Sequence, residues 1–245
     1  MEQPRLLNEA KRREEIKEYL SRLLTEYFRV NGEKITILEA GCGRRMNLDL
    51  SGLNFHLVGL DISPEALKLR IQNERDLDMA VVGDVGGMAF SGNVFDVIYC
   101  SYLLEHVRNV KGILDDFVCW LKPGGVIIII FPVRDSAAGW ITRKTPFRAH
   151  VAYKKYIRRF KKAGEPGYGP FPTVYDPILT LPGIREYCST RGLQIAGCYA
   201  DPLPLKTFFG PAAPLVRLVL NFIKALSGDT LRTDYGGLAC VIKKP

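Results

Sequence analysis

Short apolar runs alternate with amphipathic stretches through the first half of the chain. The runs span 35–39, 56–61, 79–83, 94–100 and 126–131 and read as short buried strands. Between them, 44–51, 64–73 and 110–121 read as helices. The last is apolar at Val110, Ile113, Leu114, Phe117, Val118 and Leu121, the three-and-four spacing of one helical face. Strands alternating with helices imply a parallel sheet covered on both faces. The run Val-Ile-Ile-Ile-Ile-Phe at 126–131 is apolar on both sides of the pleat, as a central parallel strand should be. Lys122-Pro123-Gly124-Gly125 before it reads as a turn that stops the preceding helix.

Ahead of this alternation, 5–30 reads as an amphipathic helix. Ile16, Leu20, Leu23, Leu24, Tyr27 and Phe28 lie on one face, and Asn31-Gly32 ends it. After residue 132 the rhythm breaks. Two late strands are expected at 193–199 and 238–242, with a helix at 183–191 before the first. Long irregular stretches, 132–182 and 200–236, separate these elements.

With 245 residues the chain suits one domain, divided into an N-terminal helix over 1–32, a core over 33–131 and two insertions. Six cysteines, at 42, 100, 119, 188, 198 and 240, form no CxxC pair, and four lie in apolar runs. That pattern reads as buried thiols in a reducing, cytoplasmic setting, with no disulfide framework and no metal site. No secretory signal and no 18-residue apolar span is expected. The net charge of +8 is concentrated: nine Lys/Arg and no Asp/Glu fall between Ser136 and Gly164.

The chemistry sits at the strand ends. The first strand runs into Glu39-Ala40-Gly41-Cys42-Gly43, and glycines there let the backbone turn tightly and approach a ligand. Asp61 ends the second strand 20 residues after Gly41, the spacing that sets a carboxylate beside the ribose hydroxyls of a bound nucleoside. Gly83-Asp84 puts a second carboxylate on the same rim. Nicotinamide dinucleotides and S-adenosylmethionine both fit this frame. A dinucleotide fingerprint wants a third glycine near the helix start, where this chain carries Arg44-Arg45. Glu39 beneath the site would repel a diphosphate and suit an ammonium and a sulfonium, so electrostatics favours S-adenosylmethionine.

The segments EAGCG (39–43), LVGLD (57–61), VVGD (81–84), FDVIYCSYLLEHV (95–107) and LKPGGVIII (121–129) together resemble class I S-adenosylmethionine-dependent methyltransferases. The resemblance is to the broad group that includes quinone-biosynthesis and small-molecule enzymes. It covers 35–131, with a weaker tail at 184–200 and 237–243. It implies an α/β Rossmann-like fold with a mostly parallel seven-stranded sheet, helices on both faces and a cap from the insertions. It further implies that Glu39, Gly41 and Gly43, with Cys42 between them, line the methionine half of the cofactor. Asp61 would accept from the ribose and Ile62 lie against the adenine. Asp84 would meet the adenine amino group, Val85 the ring, and Cys100, Ser101 and Tyr102 the sulfonium. Arg45 departs from the family, which usually carries a third glycine there.

Two histidines, His106 and His150, are candidate bases, while His56 reads as structural. Methyl transfer from a sulfonium needs a base only when the acceptor must lose a proton. Both insertions leave the carboxyl ends of strands, so they should form the substrate pocket. The first interleaves Arg143, Lys144, Arg148, Lys154, Lys155, Arg158, Arg159, Lys161 and Lys162 with Phe147, Tyr153, Tyr156 and Phe160. The second holds a greasy helix over 214–226 with Arg217, Asn221 and Lys224 on one stripe, suited to a membrane interface, the cap or a second subunit. These features point to a small-molecule or lipid-like acceptor with peripheral membrane contact. An RNA methyltransferase using 143–162 as a phosphate track and a non-catalytic cofactor-binding partner subunit are the alternatives.

Overall fold

A computed structural model describes residues 5–6, 12–28, 33–46, 48–165, 168–203, 205–226, 228 and 230–245. The strands are β1 (Arg5–Leu6), β2 (Ile35–Ala40), β3 (Phe55–Asp61), β4 (Met79–Val82), β5 (Phe95–Ser101), β6 (Leu121–Pro132), β7 (Gln194–Pro202) and β8 (Tyr235–Lys243). They form one sheet in the order β1-β7-β8-β6-β5-β2-β3-β4. Only β8 runs against the rest, pairing antiparallel with both β6 and β7. The seven expected strands are thus present. The two-residue β1 is an addition, paired parallel to β7 at Tyr199 and Ala200.

Among the described residues the helices are α1 (Arg12–Phe28), α2 (Pro64–Asn73), α3 (Val110–Trp120), α4 (Ala137–Lys144), α5 (Phe147–Ala152), α6 (Leu181–Thr190), α7 (Leu205–Phe209) and α8 (Ala213–Leu226). The pleat of the central strands sorts side chains into two layers. Leu38, Ile98, Ile127 and Ile129 face a cluster completed by Val110, Ile113, Leu114 and Phe117 of α3 and by Ile184 and Tyr187 of α6. Ile37, Val97, Tyr99, Ile128 and Val241 face the other way, onto Leu20, Leu23 and Leu24 of α1.

Helix starts follow side-chain capping. Ser63 accepts from the Ala66 N–H at 3.2 Å before Pro64, and Asn109 accepts from Gly112 at 3.0 Å. Ser136 caps α4 through Gly139 at 3.0 Å, and Thr180 caps α6 through Gly183 at 3.1 Å.

Several expectations are corrected. Residues 5–6 do not belong to the helix expected over 5–30: they pair with β7, and α1 as described spans Arg12–Phe28. The expected stop at Asn31-Gly32 lies outside the described residues. The described part of 44–51 forms turns and irregular backbone rather than a helix, its Leu48 and Leu50 turned into the α1-side core. Lys122-Pro123-Gly124-Gly125 is not a free turn but the start of β6, because Gly124 N–H donates to Lys244 O and Lys244 N–H to Gly125 O, both at 3.0 Å. The first insertion is not irregular throughout, carrying α4, α5 and a π turn at Tyr153–Ile157; in the second, α7 is an addition and α8 is the helix expected over 214–226. Of the cysteines, Cys119 is exposed rather than buried, on the outer side of α3.

Candidate active site at the carboxyl ends of the strands

Strand β2 ends in a turn whose shape only glycine holds easily. Gly41 has φ +69° and Gly43 φ +56°. A side chain at Gly41 would press on Leu103 Cβ at 3.0 Å, whereas the space beside Gly43 is open. The backbone at Gly43 can therefore be approached closely by a ligand. Gly41 and Cys42 donate their N–H groups to Leu60 O at 2.8 and 3.0 Å, which ties this turn to the end of β3. The Cys42 side chain is buried.

Asp61, the last residue of β3, pins two loops at once. Its Oδ2 accepts from Gly43 N–H at 2.7 Å and its Oδ1 from Ser63 N–H at 2.8 Å. A carboxylate offers about four acceptor positions, so two remain for hydroxyls of a ligand. Beside it Ile62 is 67% exposed, a large apolar side chain held against solvent at the same rim. Asp84, exposed after β4, accepts from Gly86 N–H at 3.0 Å and caps a short helical turn at Val85–Gly87. Val85 itself is buried in the α3-side core and offers the rim its backbone rather than its side chain.

Glu39 is buried beneath the glycine turn, where its Oε2 meets Arg70 Nη1 at 2.7 Å. Arg70 is fully buried on α2 and also holds Asp76 through two contacts, at 3.0 and 2.8 Å, and Cys42 O at 2.7 Å. Burial pushes the Glu39 carboxyl up to about 7 against the pull of that guanidinium. The charge beneath the site is thus balanced from within the protein. Its attraction for a ligand ammonium is weaker than that of an unpaired carboxylate. Arg70 belongs to no motif of the sequence, yet it carries a signal: Ala66, Leu67 and Arg70 share one buried face of α2, and an arginine in that register demands internal partners.

At the end of β5, Cys100 is buried, Ser101 half-buried, and Tyr102 exposed with φ +54°. A bulky residue in the left-handed region stores backbone strain of the kind that gathers at functional sites. Tyr102 opens onto a cavity of about 490 Å³ that brings together both candidate histidines. His106 and His150 line it with Thr142, Arg143, Lys154 and Phe171.

His106 Nδ1 lies 2.6 Å from Pro172 O, a distance that makes Nδ1–H the donor and leaves Nε2 as the acceptor. Burial holds its imidazole below the usual histidine range, in the neutral form. Behind Nε2, at 3.7 Å, stands Oε1 of the buried Glu105, whose carboxyl burial raises to about 7. His150 Nε2 lies 3.2 Å from both Thr142 O and Thr145 O, so its ring N–H caps the end of α4.

The cap reaches the glycine turn through Arg44, whose guanidinium stacks on the Tyr168 ring at 4.0 Å. Arg45 is exposed. Lys154, close enough to Arg44 to feel it, is held below the usual lysine range by burial and that second cation.

This arrangement has known counterparts. A family model described as a methyltransferase domain matches residues 9–165, and the chain belongs to that family. A sterol 4-C-methyltransferase, strm-1, of Caenorhabditis elegans is 30% identical over 105 residues, covering 40% of this chain and 31% of its own length. A demethylmenaquinone methyltransferase of Listeria welshimeri is 26% identical over 158 residues, covering 61% of this chain and 65% of its own. The match thus spans under a third of the first relative and less than two thirds of the second. The crystal structure of a SAM dependent methyltransferase from Archaeoglobus fulgidus aligns over 95% of this chain and 94% of its own, with TM-score 0.54 and 18% identity, a likeness of fold. No helix among the described residues is long and apolar enough to cross a membrane.

Proposed function

We propose that the chain transfers the methyl group of S-adenosylmethionine to a small-molecule or lipid-like acceptor. The observation that carries this reading is the shared rim. The open glycine turn after β2, Asp61 ending β3 with acceptor positions to spare, and strained Tyr102 after β5 follow the carboxyl ends of three neighbouring strands, and Tyr102 lines a capped cavity. About 490 Å³ suits a small molecule more than a polymer strand.

The residues present fit the cofactor. Gly41 and Gly43, with Glu39 and Cys42 shaping the turn, would hold its methionine half. Asp61 would accept from the ribose hydroxyls. Ile62, Asp84 and the backbone at Val85 would hold the adenine, and Cys100, Ser101 and Tyr102 the region of the sulfonium. Bound there, it supplies an activated methyl group on a sulfonium. The chain's own work is then positioning and water exclusion, which suffice for a good nucleophile at short range.

Where the acceptor must lose a proton, His106 is the better placed of the two histidines, neutral and with Glu105 behind its free nitrogen. His150 would hold the cap. The cap and the core make one working unit in this reading. Six free thiols support work in a reducing compartment such as the cytoplasm.

Thermal unfolding with S-adenosylhomocysteine, S-adenosylmethionine and NAD tests the cofactor. Release of S-adenosylhomocysteine across a panel of sterol, quinone and phosphorylated amine acceptors tests the reaction. A rise in midpoint with the adenosyl compounds but not NAD, together with turnover on one acceptor class, is the expected result. No shift with either adenosyl compound would overturn the reading.

A further inference from the structure

Helix α8 turns only one side toward the protein. Ala213 is buried, and Val216 and Leu220 pack with Leu203, Leu205, Leu231 and Ala137. The opposite side carries Leu215, Leu218, Val219, Phe222, Ile223 and Leu226 at steps of three, one, three, one and three. Those steps form a continuous stripe along the helix. All six are open to solvent, four of them by 65% or more (Leu215, Leu218, Phe222 and Leu226). A stripe of this kind is rare on a monomeric soluble surface and marks a contact.

Charge says with what. Helix α4 shares the packing cluster of α8 through Ala137 and exposes Trp140 and Ile141. It opens the segment from Ser136 to Gly164 with nine Lys/Arg and no Asp/Glu. There Tyr153, Tyr156 and Ile157 stand exposed among Lys155, Arg159 and Lys161. Apolar and aromatic side chains set among cations suit an anionic lipid surface. A second copy of the chain would bring two such cationic segments together, at a Coulombic cost. At 14 residues α8 is too short to cross a bilayer, whose apolar core needs about 20.

We propose that this face docks on an anionic bilayer. Helix α8 lies in the plane of the interface with its stripe at the acyl-chain boundary, and the cationic segment meets lipid phosphates. Thr142 and Arg143 of α4 line the acceptor cavity, so docking brings the wall of that cavity to the membrane. The proposal stands whether or not the chain transfers methyl groups.

Cosedimentation with vesicles of phosphatidylcholine, alone or mixed with phosphatidylglycerol, tests it on the whole chain. The expected result is binding to the mixed vesicles only, weakened by added salt. Phe222→Glu and Leu218→Glu should each reduce it at least about tenfold, and Lys155→Ala or Arg159→Ala about fivefold. Unfolding midpoints check that each variant is folded. Of the two tryptophans, Trp120 is buried and Trp140 is 46% exposed, so wild-type fluorescence offers a second readout. A blue shift on mixed vesicles, absent in Trp140→Phe, is expected. No binding to anionic vesicles would overturn the proposal. So would a dimer that Phe222→Glu dissociates in a chain that ignores vesicles.

Discussion

In the proposed function Asp61 joins folding to ligand binding, and replacing it separates the two. Its oxygens accept from Gly43 N–H at 2.7 Å and Ser63 N–H at 2.8 Å, and the group is only half-buried. Hydrogen bonds to a charged acceptor are worth about 1.5–3 kcal/mol each, and partial exposure argues for the low end. Asp61→Ala should therefore cost the ligand-free protein about 3 kcal/mol. In a chain of this size that lowers the midpoint by about 6–12 °C. Asp61→Asn should cost less, because one backbone donor keeps an oxygen while the other meets an NH₂ group.

The second effect is on the ligand. S-adenosylhomocysteine at about a hundred times its dissociation constant should raise the wild-type midpoint by about 5–10 °C, from about 2.7 kcal/mol of linkage. In Asp61→Ala most of that rise should vanish, since the ribose hydroxyls lose their acceptor and the Gly43 turn loses its latch. The assay is thermal unfolding of wild type, Asp61→Asn and Asp61→Ala across a ligand titration. A destabilised Asp61→Ala that still shows the full ligand-induced rise would refute the reasoning. Asp61 would then be a loop latch only, and the ribose would be held elsewhere.

Three further outcomes are expected. The buried Glu105 carboxyl, raised to about 7 from the ordinary 4.5, supports folding most below pH 4.5, and that support is lost as pH rises through 7. Urea unfolding should show Glu105→Gln gaining up to about 3 kcal/mol on wild type between pH 4.5 and pH 8; equal pH dependence in both would count against it. Arg70→Met strands Glu39 and Asp76 without their buried cation and should cost about 3–5 kcal/mol by the same measurement. Tyr102→Gly relieves the positive φ and should raise stability by about 0.5–1 kcal/mol while turnover falls; stabilisation with turnover intact would remove Tyr102 from the site.

The sheet was legible because its code is local. Strands such as 126–131 are apolar on both pleat faces, and Pro64–Asn73 carries its own cap and proline, so the expected bounds of α2 coincide with the observed ones. The stretch 44–51 misled because Leu48 and Leu50 resemble a helical face, whereas the core of α1 takes them in as two apolar plugs on irregular backbone. Lys122–Gly125 misled for the opposite reason. Its proline and glycines suggest a turn, and only the return of the chain at Lys244, some 120 residues later, turns it into a strand.

The same contrast divides the site. In the proposed function the cofactor half is built where strands end, and the constraints there are written next to one another: a glycine pair that turns, then an acid at the end of the next strand. The acceptor half is assembled across distance. His106 is oriented by Pro172, and Arg44 is stacked by Tyr168. Neither of these pairings leaves a periodicity or a motif, because each depends on how a cap settles on a finished sheet. On that reading the sequence carries the cofactor chemistry in its spacing, while acceptor choice rests in contacts that only the folded chain displays. Exchanging the cap, and not the strand ends, is the step that should change which molecule is methylated.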